Sequence, residues 1–250
     1  MASETILILG ATSEVAEHYA RLQAARGAKL LLVGRHAERL GIIAADLRAR
    51  GAASADVALE DLAEPADGFP AAWSRLLAQS GGAVDVLLLA YGQLGDQTKA
   101  EQDPVEALRL LQVNGTSACA WLLAAARTLE QQNRGSLIAI GSVAGDRGRA
   151  SNYIYGAAKS TLATLTLGLA HRFAATNVKV LLVKPGFIDT KMTDGLPKGG
   201  PLWATPEQVA ADIDAAARKG RTELYTPWFW APIMLIIRNL PRLIFNKMKI

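Results

Sequence analysis

Short apolar runs alternate along the chain with longer alanine- and leucine-rich stretches of helical periodicity. The short runs predict strands at about 5–9, 29–33, 54–59, 85–89, 136–140, 178–183 and 222–226. Because a helix separates most successive strands, we expect right-handed crossovers and a parallel sheet that is covered on both faces. The pattern predicts an α/β fold: a Rossmann-type, doubly wound, seven-stranded and mainly parallel sheet flanked by helices, with ligands at the carboxyl ends of the strands.

The alternation breaks at about residue 190, where a segment rich in glycine and proline begins. We interpret 190–206 as a loop over the site rather than a domain boundary. Its apolar residues, expected to meet the substrate, are Met192, Leu196, Leu202 and Trp203. With 250 residues, half of them hydrophobic, the chain suffices for one buried core. We therefore predict a single domain over 1–226, with 227–250 as an apolar and basic extension that is not a separate domain.

Composition narrows the cellular setting and the class of protein. The single cysteine, Cys119, excludes an internal disulfide framework, and the apolar run near the N-terminus is too short for a secretion signal, so a cytoplasmic setting is expected. The three histidines lack the spacing of metal ligands, and no metal is predicted.

The net charge of +4 is concentrated near the C-terminus. Residues 221–250 hold five cations against one acid, so the remainder of the chain balances to zero and does not resemble a nucleic-acid binder. The uncharged stretch Leu224 to Ile237 is too short and too interrupted by proline to cross a bilayer. Its aromatic residues and following cations fit peripheral contact with an inner membrane face, or packing against a second subunit or over the substrate.

The first predicted strand leads into a turn that runs Gly10, Ala11, Thr12, Ser13, Glu14, Val15, Ala16. In a Rossmann turn, glycine lets the backbone approach a pyrophosphate that is received at a helix N-terminus. Gly10 fits the first glycine, whereas Glu14 and Ala16 replace the second and third. Glu14 either stands near the phosphates or only stabilises the first turn of its helix through the helix dipole.

The second predicted strand ends at Gly34 and Arg35, where an NAD enzyme would present an acidic residue to the ribose. The guanidinium of Arg35 suits a 2′-phosphate instead, and NADPH is expected rather than NADH. The alternative is that Arg35 is an ordinary surface arginine. After the third and fourth strands, the residues expected to line the adenine and ribose are Asp61, Leu62, Ala90, Tyr91 and Gly92.

The strongest local pattern is Ser142 followed by Tyr155 and Lys159 at the start of an alanine-rich helix. Positions i and i+4 share one helix face, so the ammonium of Lys159 is expected beside the phenol of Tyr155. A neighbouring cation stabilises a phenolate, which would make Tyr155 a usable general acid. Ser142, after a strand, can hydrogen-bond the same substrate oxygen.

Taken together, the Gly10 turn, Asn114, Ser142, the YGAAK segment and the PGFIDT segment resemble the short-chain dehydrogenases/reductases over essentially the whole chain. The resemblance implies that Asn114 organises a proton-relay water, and that Tyr155 and Lys159 also contact the cofactor. The residues that it assigns to the nicotinamide are Pro185, Gly186, Ile188 and Thr190. It further implies a homodimer or homotetramer. Asn114 alternatively interrupts its helix through local hydrogen bonding.

The turn and the tryptophan-rich tail resemble the branch that includes decaprenylphosphoryl keto-sugar reductases. That resemblance implies reduction of a ketone on a lipid-linked or amphipathic substrate. Two alternatives remain: a soluble reductase of a small ketone or 3-oxoacyl thioester, and a dinucleotide-binding sensor or scaffold that has lost catalysis. The complete Asn114, Ser142, Tyr155 and Lys159 set argues against the sensor.

Overall fold

The computed structural model describes residues 3–195 and 197–248. Its main sheet has seven strands, and every neighbouring pair is parallel. The strands are β1 Thr5–Leu9, β2 Lys29–Gly34, β3 Ser54–Leu59, β4 Val86–Leu89, β5 Gly135–Ile140, β6 Val178–Pro185 and β9 Glu223–Thr226. Each lies within two residues of its predicted position. The order β3-β2-β1-β4-β5-β6-β9 confirms the predicted doubly wound sheet.

Helices connect the strands and cover both faces of the sheet. They are α1 Glu14–Ala24, α2 Ala37–Ala49, α3 Gly68–Gln79, α4 Gln97–Gln102, α5 Pro104–Leu111, α6 Ser117–Gln132, α7 Tyr153–Arg172, α8 Pro206–Arg218, α9 Trp230–Asn239 and α10 Arg242–Phe245. A π-helical segment, Gln112–Thr116, joins α5 to α6, and a 3-10 turn, Val143–Gly145, follows β5. None of these described helices is long and apolar enough to cross a membrane.

The core consists of two apolar layers, one on each face of the sheet. Ile6 and Ile8 of β1 pack into the layer with α1, α2 and α8, whereas Leu7 and Leu9 pack into the layer with α3, α6 and α7. Alternate residues of a strand point to opposite faces, so a strand apolar at every position must be covered twice. The chain order reverses between β1 and β4, which opens a crevice at the carboxyl ends of these strands.

The segment predicted as a loop contains further short structure. Phe187–Ile188 (β7) pairs in parallel with Trp203–Ala204 (β8), and a 3-10 turn, Lys191–Thr193, lies between them. These two strands were not predicted, since each has only two residues. They join the PGFIDT segment to the residues that precede α8.

The C-terminal extension packs against the sheet domain rather than standing apart. Trp230 and Met234 of α9 are almost completely buried and form an apolar cluster with Val143, which follows β5. Arg147 fixes the other end of α9: its Nη1 donates to the carbonyl oxygens of Ile237 and Leu240, and its guanidinium lies 3.7 Å from the centre of the Phe245 ring.

Candidate active site

A cleft of about 2250 Å³ lies at the carboxyl ends of the strands. Most residues that the sequence assigned to cofactor or substrate line this cleft. They are Gly10, Thr12, Ser13, Glu14, Val15, Arg35, Asp61, Leu62, Ala90, Tyr91, Gly92, Ser142, Tyr155, Lys159, Pro185, Gly186, Ile188, Thr190, Met192 and Leu202. The fold therefore brings together side chains that are separated by up to 192 positions in the chain.

The turn after β1 is built for close approach to a ligand. Gly10 has φ +88°, and a Cβ there would lie 2.7 Å from the backbone nitrogen of Tyr91. Only glycine combines this backbone conformation with this contact. The N–H groups of Gly10 and Ala11 are both taken by the carbonyl of Val33, which ties the turn to β2. The N-terminus of α1 then faces the cleft, as a pyrophosphate site requires.

Glu14 takes part in a contact that the sequence did not predict. Its Oε1 accepts a hydrogen bond of 2.9 Å from the backbone N–H of Lys191 in the 3-10 turn after β7. Glu14 therefore connects the first turn of α1 to the segment that borders the substrate side of the cleft. From the sequence we expected Glu14 either to stand near the phosphates or to stabilise the first turn of its helix, and neither expectation included this contact.

Basic residues border the cleft at the end of β2. Arg35 is about half exposed, and its Nη1 lies 3.7 Å from Oδ2 of Asp61. An exposed pair at this distance is weak, so the guanidinium is available to an anionic ligand. His36 and Arg39 line the same part of the cleft but were not selected from the sequence, where Arg39 looks like any helix arginine. The donors here fit a phosphate group on an adenosine ribose.

The residues after β4 support the floor of the cleft. The phenol of Tyr91 exchanges a hydrogen bond of 2.9 Å with Ser117, and burial raises its pKa, so the hydroxyl stays protonated. A Cβ on Gly92 would lie 2.7 Å from Oδ1 of Asn114 and 3.6 Å from Nζ of Lys159. Glycine at position 92 thus allows Asn114 and Lys159 to approach the cleft floor.

Two glycines bring Ser142 close to Tyr155. A Cβ on Gly145 would lie 2.8 Å from the carbonyl carbon of Lys159, and a Cβ on Gly156 would lie 2.8 Å from the carbonyl oxygen of Ala144. The 3-10 turn after β5 can therefore pack directly against the start of α7. Ser142 begins that turn, and its Oγ accepts from the N–H of Ala144 at 3.1 Å.

Burial controls the ionisation of the central pair. It raises the pKa of Tyr155 to about 12, and a hydrogen bond with Ser142 opposes part of that rise. It lowers the pKa of Lys159 to about 8. Nζ of Lys159 lies 5.8 Å from the centre of the Tyr155 ring and donates to the carbonyl oxygen of Ile140 at 3.0 Å. Burial outweighs the hydrogen bond with Ser142, so the pKa of Tyr155 is raised, whereas the sequence led us to expect Lys159 to lower it.

A phenol with a raised pKa remains protonated at neutral pH. Tyr155 is therefore held in the form that can donate a proton, beside a serine that can share the acceptor oxygen.

Asn114 lies beneath the cleft rather than on its wall. It is fully buried in the π-helical segment, and its Nδ2 donates to the carbonyl oxygens of Leu110 and Gln93, each at 2.9 Å. Its Oδ1 accepts from the N–H of Gln93 at 2.8 Å. The regular α-helical geometry is thus interrupted around Asn114, between α5 and α6. The bond to Leu110, four residues earlier, is the local bonding that the sequence left as an alternative, and the bonds to Gln93 hold the segment after β4.

The segment after β6 is enclosed by the C-terminal extension. The N–H of Gly186 donates to the carbonyl oxygen of Thr226, and a Cβ on Gly186 would overlap Nε1 of Trp230. Thr190 caps the 3-10 turn by a reciprocal capping box with Thr193. Trp230, Ile233 and Ile237 of α9 line the cleft, although the sequence only indicated that the tail could close over a substrate.

The predicted substrate-loop residues divide into three groups. Met192 and Leu202 line the cleft and are exposed. Trp203 does not line it; its ring stacks on Phe187 with centroids 5.2 Å apart, because β8 pairs with β7. Leu196 lies outside the described residues.

Three polar cleft residues between Ser142 and Tyr155 were missed by sequence analysis: Arg149, Ser151 and Asn152. Nothing in their spacing distinguishes them from ordinary loop residues. Within residues 3–195 and 197–248, no group of three or more acidic, histidine or cysteine side chains could hold a metal ion.

Comparison with known proteins places these features in context. A family model described as "short chain dehydrogenase" matches residues 4–199. The chain is 35% identical over 243 residues to an uncharacterised oxidoreductase of Mycobacterium tuberculosis, which covers 97% of this chain and 96% of the relative. It is 35% identical over 246 residues to an uncharacterised oxidoreductase of Streptomyces coelicolor, which covers 98% of this chain and 95% of the relative.

Among solved structures, a short-chain dehydrogenase from Sphingobium yanoikuyae in complex with NADPH superposes with a TM-score of 0.80. It is 25% identical in sequence, and the match covers 96% of this chain and 97% of that one.

Proposed function

The chain belongs to the short-chain dehydrogenase/reductase family and is an oxidoreductase, and we propose that it reduces a ketone to a secondary alcohol with NADPH as hydride donor and Tyr155 as proton donor. The observation that carries this proposal is the packing of Ser142 and Tyr155 against each other, with Lys159 one helical turn further along α7. The set faces a cleft large enough for a dinucleotide and a substrate.

When bound, NADPH supplies a hydride to the carbonyl carbon. Ser142 and Tyr155 both donate hydrogen bonds to the carbonyl oxygen, which polarises the C=O bond. As negative charge develops on that oxygen, Tyr155 transfers its phenolic proton and the alcohol forms. The Lys159 ammonium stabilises the resulting phenolate, and water then returns a proton to it. Asn114 is a positioning residue, because its hydrogen bonds to the backbone of Gln93 hold the segment after β4 beside Lys159.

Three features support NADPH as the cofactor. The first is the relative from Sphingobium yanoikuyae, which binds NADPH. The second is the Gly10 turn, which leaves room for a pyrophosphate before α1. The third is the basic border of the cleft at the end of β2, where Arg35 would bind the 2′-phosphate with support from Arg39. The positions from Pro185 to Thr190 would hold the nicotinamide between β6 and α9.

The substrate that we propose is a lipid-linked or otherwise amphipathic keto-sugar. The support for it is the apolar wall that α9 adds to the cleft through Ile233 and Ile237, together with Met192 and Leu202, which also line the cleft. The alternative of a small ketone would leave most of this apolar wall without contact, whereas the acyl chain of a 3-oxoacyl thioester could also use it.

The outer surface of the extension supports peripheral contact with a membrane. Leu235 and Ile236 of α9 are each 63% exposed, and the exposed apolar residues continue through Leu243 and Ile244. Arg238 and Arg242 lie in the same stretch, which is the combination that binds the interface of an anionic bilayer. We place the enzyme in the cytoplasm at the inner membrane face, as a homodimer or homotetramer.

The test is a comparison of the wild-type protein with the Tyr155→Phe variant. Both should bind NADPH more tightly than NADH in a nicotinamide fluorescence titration, because the substitution removes only the phenolic hydroxyl and leaves Arg35 at the proposed 2′-phosphate site. Only the wild type should oxidise NADPH rapidly with a panel of keto-sugars and acyl ketones, and the variant should lose turnover by orders of magnitude. Equal turnover by both proteins would refute the role of Tyr155. Binding of NADPH without turnover of any ketone would favour the sensor.

A further inference from the structure

Three buried polar side-chain atoms have no hydrogen-bond partner among the residues that the structure describes, and all three belong to residues that line the cleft. They are Nε of Arg149, Oδ1 of Asn152 and Nε1 of Trp230. Buried polar groups in folded proteins are almost always hydrogen-bonded. Their concentration in one cavity indicates a ligand that supplies the missing partners.

Among residues 3–195 and 197–248, no acidic side chain forms a salt bridge with Arg149. The acid nearest to it in sequence, Asp146, is already occupied on both oxygens. Nζ of Lys184 lies 2.7 Å from Oδ1 of Asp146, and the hydroxyl of Tyr225 donates to Oδ2 at 2.6 Å. Burial lowers the pKa of Arg149, with only partial opposition from Asp146. The guanidinium nevertheless stays protonated at neutral pH, so this part of the cleft is cationic.

Asn152 departs from the usual behaviour of its position. It is the N-cap of α7, where an asparagine side chain normally accepts a hydrogen bond from the first turn of the helix. Here the side chain makes no capping bond, and its Oδ1 stays buried at the cleft wall without a donor. An oxygen in this state matches a substrate hydroxyl or N–H group.

The position of these residues relates them to the substrate. Arg149 and Asn152 lie on the segment that connects Ser142 to Tyr155, and Trp230 lies against Gly186 at the carboxyl end of the neighbouring strand β6. They therefore surround the place where the carbonyl must bind, away from Arg35 at the end of β2.

We propose that Arg149 binds an anionic group of the carbonyl substrate, a carboxylate or a phosphate, with Trp230 as a second donor and Asn152 as an acceptor. This proposal rests on the proposed function, since it assumes that the protein reduces a ketone. It adds that the ketone carries a negative charge. A guanidinium group forms paired hydrogen bonds with a planar carboxylate and with a tetrahedral phosphate, so the ligand that Arg149 recognises is an oxyanion of either kind.

The first experiment measures binding without turnover. The protein is saturated with NADP+, so that phosphate sites of the cofactor are filled, and its thermal unfolding is followed in acetoacetate, inorganic phosphate or chloride at equal ionic strength. One of the two oxyanions should raise the Tm of the wild type, because a ligand that binds only the folded state stabilises it. The Arg149→Met variant should lose this rise. Arg172→Met, which removes an exposed arginine paired with Glu130, should keep it.

The second experiment measures turnover on matched ketones. Acetoacetate is compared with its ethyl ester, and dihydroxyacetone phosphate with dihydroxyacetone, so that each pair keeps the ketone and only one member carries the anionic group. Arg149→Gln should raise the KM of the preferred anionic member by about tenfold or more and leave that of its neutral counterpart unchanged. Arg149→Lys should recover part of the loss. The two pairs distinguish a carboxylate from a phosphate.

The outcomes separate this inference from the proposed function. Equal Tm shifts in the wild type and Arg149→Met, or no shift in the wild type with either oxyanion, would overturn the role of Arg149. Failure of every ketone to turn over would count against the reduction itself, while the Tm comparison would still decide whether Arg149 binds an anion. A large loss of NADPH affinity in Arg149→Met would also overturn the proposal, because it would show that Arg149 binds the cofactor rather than the substrate.

Discussion

The carboxylate of Glu14 accepts a hydrogen bond of 2.9 Å from the backbone N–H of Lys191, which lies 177 positions later in the chain. Glu14 begins α1, whose N-terminus faces the proposed pyrophosphate site, whereas Lys191 begins the 3-10 turn beside the substrate region. One side chain therefore joins the cofactor turn to the substrate segment, and it brings a negative charge to a place that must receive phosphates.

Removing that charge should strengthen cofactor binding. Glu14→Gln keeps an oxygen that can accept from Lys191 and removes the repulsion of phosphate, so the Kd for NADPH should fall by about two- to fivefold. Fluorescence titration measures the change. The matched control is Glu207→Gln, which alters an acid in the first turn of α8, outside the cleft. An unchanged or weaker affinity of Glu14→Gln would show that the carboxylate does not oppose the phosphates.

Arg35 should determine the preference between the two nicotinamide cofactors. Its ion pair with Asp61 is long and exposed, so little is lost when the guanidinium turns to a 2′-phosphate. Arg35→Ala should raise the Kd for NADPH by about ten- to a hundredfold and change that for NADH less than about twofold. Arg50→Ala, which removes an exposed arginine paired with Asp46, is the control. Equal losses for both cofactors would assign Arg35 to the shared parts of the dinucleotide.

The sequence predicted the sheet well because each strand carries its own signal. Ile6 to Leu9 are apolar at consecutive positions and end in a glycine, which is the pattern of a strand that is buried on both faces. The proximity of Tyr155 and Lys159 could also be predicted from the sequence, since a spacing of four residues places both on one face of a helix.

Contacts between segments that are distant in the chain could not be predicted from the sequence. The burial that raises the pKa of Tyr155 comes from the whole cleft, and the packing of Trp230 on Gly186 depends on where the chain returns after β9. Trp203 is the clearest example: an apolar loop residue was expected at the substrate, but a two-residue strand pairing directs its ring onto Phe187. Arg149 gave no signal, because the lack of a partner is visible only in three dimensions.

The buried ammonium of Lys159 should make the stability of the cofactor-free protein depend on pH. Its folded-state pKa of about 8 lies below the ordinary value of 10.5, so the folded protein binds fewer protons between these limits. Burial of the charged form is therefore destabilising below pH 8, and this cost disappears as the pH rises towards 10.5.

Lys159→Met removes that cost, so its stability relative to the wild type should be greatest at pH 7. The difference should decrease by on the order of 3 kcal/mol by pH 10, where Tyr155 is still protonated. Urea denaturation at several pH values measures it. Lys179→Met, at an exposed position of β6, should show no such trend. A constant difference for Lys159→Met would mean that Lys159 keeps an ordinary pKa in the folded protein.

The outer face of the extension can be tested without disturbing its inner face. Deletion of 227–250 is a poor test of membrane contact, because it also removes Trp230 and Met234 from the cluster beside the cleft. The Leu235→Glu, Ile236→Glu double variant changes two residues that are each 63% exposed and leaves the buried side of α9 intact.

If the extension meets a membrane, the wild type should co-sediment with vesicles that contain anionic lipid, and the double variant should remain in the supernatant. Binding should also weaken as salt is raised, since Arg238 and Arg242 would be attracted to lipid headgroups. Size-exclusion chromatography of the same two proteins provides the contrast. A wild-type oligomer that becomes a monomer in the double variant, with no vesicle binding by either protein, would assign this apolar face to a second copy of the chain.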